Sequence, residues 1–354
     1  MNRLHVIIPA GGVGSRLWPL SRKDRPKFLL DLRMSGKSLL QETIDRLAPI
    51  AASFTIVTGR AHEQAVRAQI PQGLDVTVLV EPQGRDSMPA IGLAAYVIRQ
   101  RFGDEAPIAS FAADHAITHP QVLLDCVERA LEVAQKGYVV TIGLRPLTPS
   151  TAYGYIAPGE PFEMESPEKG SIVRSFVEKP DEETAKQYCE QGYLWNAGMF
   201  IMTAGTLARA LTRFHPDMDR HLSTIGSQWG SESFVQTLSE EWPALTKIAI
   251  DHAIAEPLAS EGGVAVVPAT DMGWTDVGDF DALAQISSEG QALRIDSPDS
   301  FVRSLTGQKI VLVGAPNMAV IATEDAILVV DRNRAQDVKH VVDQLTQSGE
   351  EELL

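Results

Sequence analysis

The sequence predicts an α/β fold in which helices cover both faces of a doubly wound, mostly parallel β-sheet. Short β-branched segments alternate with amphipathic segments through the first half of the chain. This alternation is typical of parallel strands joined by crossover helices. In the second half the β segments are longer and only short helices are expected between them. We therefore expect a mixed, partly antiparallel extension of the same sheet.

The first half contains five apolar segments with the composition of buried strands: HVIIPA, FTIVTG, VTVLVEP, PIASFAAD and YVVTIGL. Between them, helical periodicity predicts helices at 39–47, 63–69, 88–101 and 122–134. Ligands of such sheets bind beyond the carboxyl ends of the strands. The candidate binding loops therefore follow three of these strands: AGGVGSR, EPQGRDSMPA and ADHAI.

The chain divides into two predicted domains. Residues 1–287 carry the sheet, including the later β segments YGYIAPG, SIVRSFVEKP and LWNAGMFIMTAG. After Ser287, short β segments punctuated by Gly, Asp, Asn and Pro predict a second domain, 288–354. We expect this domain to be a small all-β module at 296–331, closed by one helix from Gln336 to Leu345.

Composition and charge exclude several classes of protein. The chain has 354 residues, 44% hydrophobic and 22% charged, which is typical of a globular protein. Its net charge of −15 argues against a broad nucleic-acid or membrane surface, so a phosphate ligand should be small and locally bound. Cys126 and Cys189 occur in unrelated contexts and indicate neither a disulfide framework nor a thiolate metal site. Without a signal-peptide pattern or an apolar stretch of roughly 20 residues, we expect a cytoplasmic protein that does not bind membranes.

A glycine-rich loop follows the first strand. Gly11, Gly12 and Gly14 allow backbone N–H groups to approach a phosphate chain, and the cations Arg16 and Lys27 follow. The spacing lacks the third glycine and the acidic residue of a dinucleotide-binding loop, and it contains no Gly-Lys-Ser/Thr of a Walker loop. For this stretch alone, a tight strand–helix turn with surface basic residues remains the alternative.

The segment GGVGSRLWPLSRKDRPK resembles the signature of the sugar-nucleotide pyrophosphorylases. FVEKP and WNAGMF resemble blocks of one branch of that family, the mannose-1-phosphate guanylyltransferases or GDP-mannose pyrophosphorylases. Five further blocks occur in family order: EPQGRDSMPAIGLAA, AADHAI, YGYI, TDVGDFDAL and AVIATEDAILVVDRNRAQDVKHVV. The resemblance covers essentially the whole chain. It implies a Rossmann-like nucleotide-diphosphosugar transferase fold, a C-terminal module similar to a short left-handed β-helix, and a homodimer.

The resemblance also implies a reaction, in which GMP is transferred from GTP to α-D-mannose 1-phosphate, giving GDP-mannose and pyrophosphate. Both reactants are polyanions, so catalysis should depend on positioning and charge neutralisation, with Mg²⁺ near the α-phosphate. In the family two acids at the positions of Asp114 and Asp276 carry the metal; taken alone, each would more often be a helix cap or turn residue. The implied catalytic residues are Arg16, Lys27, Asp114, Lys179 and Asp276.

Two binding sets follow from the same resemblance. The predicted nucleotide-binding residues lie in or near the loops after the first and third strands: Ala10, Gly11, Gly12, Gly14, Ser15, Arg16, Lys27, Glu81, Pro82, Arg85 and Asp86. The predicted sugar-phosphate-binding residues lie in the later blocks: Tyr153, Gly154, Glu178, Lys179, Asn196 and Gly198. Without the resemblance, Lys179 would be interpreted as a surface strand lysine. His115 has no clear metal partner and is assigned no role.

One block departs from the family pattern. E-P-x-x-R-N-T-A-P-A is usual, whereas this chain has Asp86, Ser87 and Met88. An acceptor-only carboxylate thus replaces two amide donors, and Asp86 either contacts the base or only caps the following helix. Two alternatives to the implied function are a pyrophosphorylase of other base or sugar specificity and a catalytically silent regulatory paralogue. The complete set of phosphate and metal residues argues against the silent paralogue.

Overall fold

A nine-stranded sheet organises the computed structural model, which describes residues 4–162, 170–287 and 292–354. The strands up to residue 287 are β1 Leu4–Ala10, β2 Ala51–Gly59, β3 Val76–Glu81, β4 Pro107–Ser110, β5 Ala116–Ile117, β6 Val139–Leu144, β7 Tyr155–Pro161, β8 Ser171–Val177, β9 Leu194–Thr203, β10 Val264–Ala269 and β11 Trp274–Thr275. The sheet order is β3-β2-β1-β4-β9-β6-β10-β8-β7, and β5 pairs separately with β11.

The pairing pattern confirms a mostly parallel sheet with a mixed extension. The first four strands of the order pair in parallel, as do β6 and β10. Strands β8 and β9 run against the others, because β9 pairs antiparallel with β4 and β6, and β8 pairs antiparallel with β10 and β7. All five strands predicted in the first half are present, although β4 ends at Ser110 and is shorter than PIASFAAD.

Helices cover both faces of the sheet. The four helices of the first half agree with the predicted ranges: α1 Leu39–Leu47, α2 Glu63–Ala68, α3 Ser87–Phe102 and α4 Pro120–Ala134. Alternate residues of β1 point to opposite layers, since Ile7 packs with α3 whereas Val6 and Ile8 pack with α1 and α4. This alternation makes the sheet doubly wound, as the sequence predicts.

The short helix expected between the later β segments SIVRSFVEKP and LWNAGMFIMTAG is present, but the longer helices of the second half were not predicted. The helices there are α5 Glu182–Glu190, α6 Ala204–Phe214, α7 Pro216–Ser227, α8 Phe234–Glu241, α9 Glu256–Ala259 and α10 Phe280–Ile286. Helices α6 and α7 have 11 and 12 residues and pack against α3 in the same core layer. The apolar face of α6 directly continues the apolar strand β9, so the two elements merge in the sequence pattern.

The last part of the chain is a β-helix-like module. Its elements are β12 Ala292–Ile295, β13 Phe301–Ser304, β14 Ile310–Val313, β15 Met318–Ala322, β16 Ile327–Asp331 and α11 Val338–Ser348, with a 3₁₀ segment at Arg332–Asp337. Strand β12 pairs in parallel with β14, and β13 with β15, both at an offset of 18 residues. One such coil of parallel strands is the repeating unit of a β-helix, and α11 closes the module as predicted.

The module packs on the first domain next to the segment that follows the loop after β1. Leu17, Trp18 and Phe280 share one buried core with Phe301 and Val338 of the module. Polar contacts connect the same surfaces, since the Arg22 guanidinium pairs with Asp325 at 2.8 Å. Within the part of the chain that the structure describes, no helix is long and apolar enough to cross a membrane.

Candidate active site

The glycine loop places open backbone next to a buried lysine. Gly11 and Gly12 are exposed directly after β1. Gly14 has a φ of 77°, and a Cβ there would lie 2.8 Å from the Cβ of Lys27. Only glycine fits this conformation and this close approach. The loop and the lysine are also joined through the backbone, because the N–H of Lys27 donates to the carbonyl of Val13 at 3.1 Å.

Lys27 connects two other predicted catalytic residues, Asp114 and Asp276. Its side chain is buried, and Nζ lies 2.8 Å from Asp114 Oδ2 and 2.5 Å from the backbone carbonyl oxygen of Asp276. Burial alone would raise the pKa of Asp114, but the Lys27 ammonium beside it holds that pKa below its ordinary value. Asp114 is therefore ionised at neutral pH, and Lys27 fixes both acidic loops beside the glycine loop.

Arg16, the other cation that follows the glycine loop, is held by the C-terminal module. Arg16 Nη1 donates to Gln336 Oε1 at 2.6 Å. The amide nitrogen of Gln336 in turn donates to Asp279 Oδ2. Gln336 was not predicted as a site residue, because it lies 320 positions away from Arg16 and no sequence pattern joins the two.

A second group of predicted residues lies at the end of β3. Glu81 is buried, its Oε2 has no hydrogen-bond partner among the described residues, and burial raises the pKa of this carboxyl to about 7. The Arg85 guanidinium donates to the backbone carbonyls of Pro243, at 2.8 Å, and Leu245. Asp86 has a φ of 69° and accepts from the N–H of Ser87, so its side chain caps α3. Arg85 and Asp86 thus make structural contacts, while Glu81 retains an unused acceptor.

Most of the predicted sugar-phosphate residues line one cavity of about 170 Å³. It is lined by five of the six: Tyr153, Gly154, Glu178, Asn196 and Gly198. Asp276 also lines it and accepts from the Tyr153 hydroxyl at 3.2 Å. The exception is Lys179, whose largely exposed ammonium pairs with Glu178 at 3.2 Å. The cavity therefore adjoins the Lys27 cluster through Asp276.

The same cavity contains side chains that were given no role from the sequence. His115 Nδ1 accepts from Trp274 Nε1 at 3.2 Å, and because an indole N–H only donates, the proton of a neutral His115 is on Nε2. Burial lowers the pKa of His115, although the charge of Asp114 opposes the shift. Asp251 is a further side chain of the cavity that was not predicted, and its Oδ1 accepts from Asn196 Nδ2 at 2.7 Å.

Comparison with known proteins identifies the family. The sequence profile described as Nucleotidyl transferase matches residues 5–292, and that of the MannoseP isomerase/GMP-like beta-helix domain matches residues 290–345. The chain belongs to the nucleotidyl transferase family. It is 35% identical to a mannose-1-phosphate guanylyltransferase of Escherichia coli (strain K12) and 36% identical to one of Salmonella muenchen; each alignment covers 99% of this chain and 75% of the relative.

A solved structure supports the same relationship for this nucleotidyl transferase. A crystal structure from Thermus thermophilus, described as a mannose-1-phosphate geranyltransferase, is 31% identical and superposes with a TM-score of 0.82. The superposition covers 98% of this chain and 100% of that one, so both the sheet and the β-helix-like module have counterparts. The family resemblance inferred from the sequence motifs is confirmed.

The acids of this nucleotidyl transferase fit a divalent cation that substrate oxygens complete. Asp114 is ionised beside Lys27, and Asp276 lines the cavity that contains Tyr153. Among the described residues no cluster of three or more acidic, histidine or cysteine side chains could hold a metal alone. Mg²⁺ is commonly held by one or two carboxylates plus substrate phosphates, so the two acids match its chemistry.

Proposed function

We propose that this nucleotidyl transferase is a mannose-1-phosphate guanylyltransferase that transfers GMP from GTP to α-D-mannose 1-phosphate and releases pyrophosphate. One observation carries the proposal. The Lys27 ammonium joins the glycine loop to Asp114 and Asp276, and Asp276 also lines the cavity of the sugar residues. The nucleotide and sugar phosphates would therefore meet at one cluster. The mannose and guanine specificity is taken from the names of the relatives.

The nucleotide end of the proposed reaction depends on the glycine loop. Exposed N–H groups at Gly11 and Gly12 and the Arg16 guanidinium offer donors to the triphosphate. Lys27 would add a buried positive charge close to the α-phosphate of the GMP group that is transferred. Because these groups are fixed by packing before substrate arrives, they stabilise charge that develops in the transition state without reorganising.

At the sugar end, the phosphate oxygen of mannose 1-phosphate attacks the α-phosphorus while pyrophosphate leaves from the opposite side. Lys179 at the cavity rim carries an ammonium suited to a phosphomonoester, and Glu178 beside it is placed to accept from sugar hydroxyls. Asp114 and Asp276 would hold Mg²⁺, which supplies charge neutralisation at the α-phosphate. The chemistry needs no covalent intermediate on the enzyme.

Glu81 is the group we propose to recognise guanine. In the part of the chain that the structure describes, its buried Oε2 has no partner, and the N1–H and N2–H₂ donors of guanine would satisfy such an acceptor. Adenine has no matching pair of donors on that edge. Asp86 caps α3 through Oδ1, and we therefore assign base recognition in this loop to Glu81.

The proposal is tested by pyrophosphate release across a matrix of nucleoside triphosphates and sugar 1-phosphates. We expect the highest kcat/KM for GTP with mannose 1-phosphate, exceeding glucose 1-phosphate by about 5- to 150-fold, the value of one mismatched buried polar contact. A preference for dTTP or UTP with glucose 1-phosphate would overturn it. Binding of sugar nucleotide without turnover of any pair would instead identify a silent paralogue.

We also propose that two copies associate through the β-helix-like module. Strands β12 and β14 present four exposed aliphatic side chains in two registered pairs, Leu293 with Val311 and Ile295 with Val313. An exposed aliphatic patch loses contact with water when it packs against a second copy of itself, which suits the two-fold contact of a homodimer. Light scattering should give a dimer mass for the natural protein and a monomer mass for Val313→Asp. A monomeric natural protein at micromolar concentration would contradict this. The cytoplasmic location remains a prediction.

A further inference from the structure

Asp251 lies in the sugar cavity but belongs to none of the sequence motifs. It begins a short π-helical segment, Asp251–Ala255, which directly precedes α9. Its neighbours in the cavity wall are Glu178, Asn196 and Gly154. This part of the wall thus combines the carboxylates of Glu178 and Asp251 with the amide of Asn196, brought together from three separate parts of the chain.

The hydrogen bonds of Asn196 leave it one free donor. Its Oδ1 accepts from the Thr141 hydroxyl at 2.9 Å and from the N–H of Gly198 at 3.1 Å. A backbone N–H can only donate, so this contact fixes which end of the amide is the oxygen. One hydrogen of Nδ2 goes to Asp251, and within the described part of the chain only the second remains for a ligand.

The carboxylates of Glu178 and Asp251 supply hydrogen-bond acceptors. Glu178 Oε2 lies close to the backbone of Gly154, so this carboxylate lies against the cavity wall. Burial and, next, the charge of Glu178 raise the pKa of Asp251 to about 6. The two acids therefore form an acceptor-rich wall whose repulsion is reduced when hydroxyl groups donate to it.

We propose that Asp251 is a sugar-specificity residue that accepts a hydrogen bond from a ring hydroxyl of the sugar phosphate while it orients the Asn196 amide. The inference rests on the proposed function, because it takes the cavity to be the sugar site. A carboxylate can fill both roles with its two oxygens. An amide at position 251 can fill only one, since its NH₂ end would face a donor.

The Asp251→Asn variant separates the two roles. An asparagine oxygen can still accept from Asn196, so a residue that only orients the amide tolerates the change. We expect KM for mannose 1-phosphate to rise about 5- to 150-fold, the preference over glucose 1-phosphate to fall toward unity, and KM for GTP to stay within about twofold. Asp217→Asn, an exposed acid on α7, is the matched control and should leave all three unchanged.

Deoxygenated substrates keep the test independent of the variant's folding. With the natural enzyme, at least one of the 2-, 3- and 4-deoxy analogues of mannose 1-phosphate should lose tenfold or more in kcat/KM, and Asp251→Asn should remove that penalty. Equal turnover of all three analogues by the natural enzyme, or an unchanged sugar KM in Asp251→Asn, would overturn the inference. If the natural enzyme prefers another sugar phosphate, the proposed function fails, and the same comparison is made with analogues of that sugar.

Discussion

At the scale of single residues, Lys27 holds the site together because a buried ammonium requires anionic or carbonyl partners. Two of its partners, Asp114 and Asp276, are chemically different. Asp114 contributes a carboxylate, whereas Asp276 contributes a backbone carbonyl and keeps its own carboxylate for the cavity. Replacing the two acids should therefore affect activity alike and stability differently.

Asp276→Asn should lower kcat by about 100-fold or more without destabilising the protein, because Lys27 keeps its carbonyl partner. Asp114→Asn should lose comparable activity and also about 1–3 kcal/mol of stability, since the buried ammonium loses its counter-ion. Pyrophosphate release and urea unfolding of both variants check this. Full activity of either variant, or activity that survives exhaustive EDTA treatment, would remove these acids from the metal site.

Glu81 gives a prediction about pH. The folded protein holds the proton of this carboxyl up to a pKa of about 7, whereas the ordinary value is 4.5. Between these values the folded state binds more protons than the unfolded chain, so the free energy of unfolding falls as pH rises from 4.5 to 7 and then levels off. Glu81→Gln should remove this term. Its stability relative to the natural protein should increase over that interval and stay constant above a pH of about 7.

Urea unfolding at four pH values spaced across and above that interval measures the stability difference, and kcat/KM for GTP and ATP gives the second readout. Glutamine lacks the second acceptor oxygen, so the variant should lose much of its preference for GTP. A stability difference independent of pH would contradict the buried, unpartnered carboxyl. An unchanged GTP preference would assign Glu81 a role in folding only.

At the scale of elements, the glycine loop is shaped by the side chain that packs beneath it. Gly14 and Gly36 both have positive φ, but a Cβ would clash only at Gly14, with Lys27. Both Ala variants should lose about 1–2 kcal/mol from the backbone conformation. Only Gly14→Ala should also displace Lys27 and lower kcat/KM severalfold or more. Unfolding and turnover of the pair check this, and an active Gly14→Ala would show that the loop adapts.

What the sequence predicts well is local. The positions of the first five predicted strands, the glycine loop and α1 to α4 follow from segments whose apolar period and capping residues act over a few positions, such as Ser38 and Gln41 at the start of α1. Helix α6 was missed because its apolar face continues the apolar pattern of β9. Asp251 and Gln336 were missed for another reason: each reaches the site through tertiary packing, and neither has a local signal.

At the scale of the whole molecule, the β-helix-like module reaches the active site. The core that it shares with Trp18 and Phe280 lies directly behind the glycine loop. Gln336 continues this contact to Arg16 on one side and Asp279 on the other. The module therefore positions the guanidinium of Arg16, the cation that we propose to bind the triphosphate.

Gln336→Ala should consequently alter nucleotide binding from outside the first domain. Without its hydrogen bond the Arg16 side chain becomes free to adopt other rotamers, so KM for GTP should rise about 2- to 10-fold, the value of one such bond. KM for mannose 1-phosphate should stay unchanged because the sugar cavity does not contact Gln336. Gln344→Ala, on the exposed face of α11, is the matched control and should have neither effect. If Gln336→Ala instead lowered stability with GTP kinetics intact, the bond would belong to domain packing, and Arg16 would be positioned by the glycine loop alone.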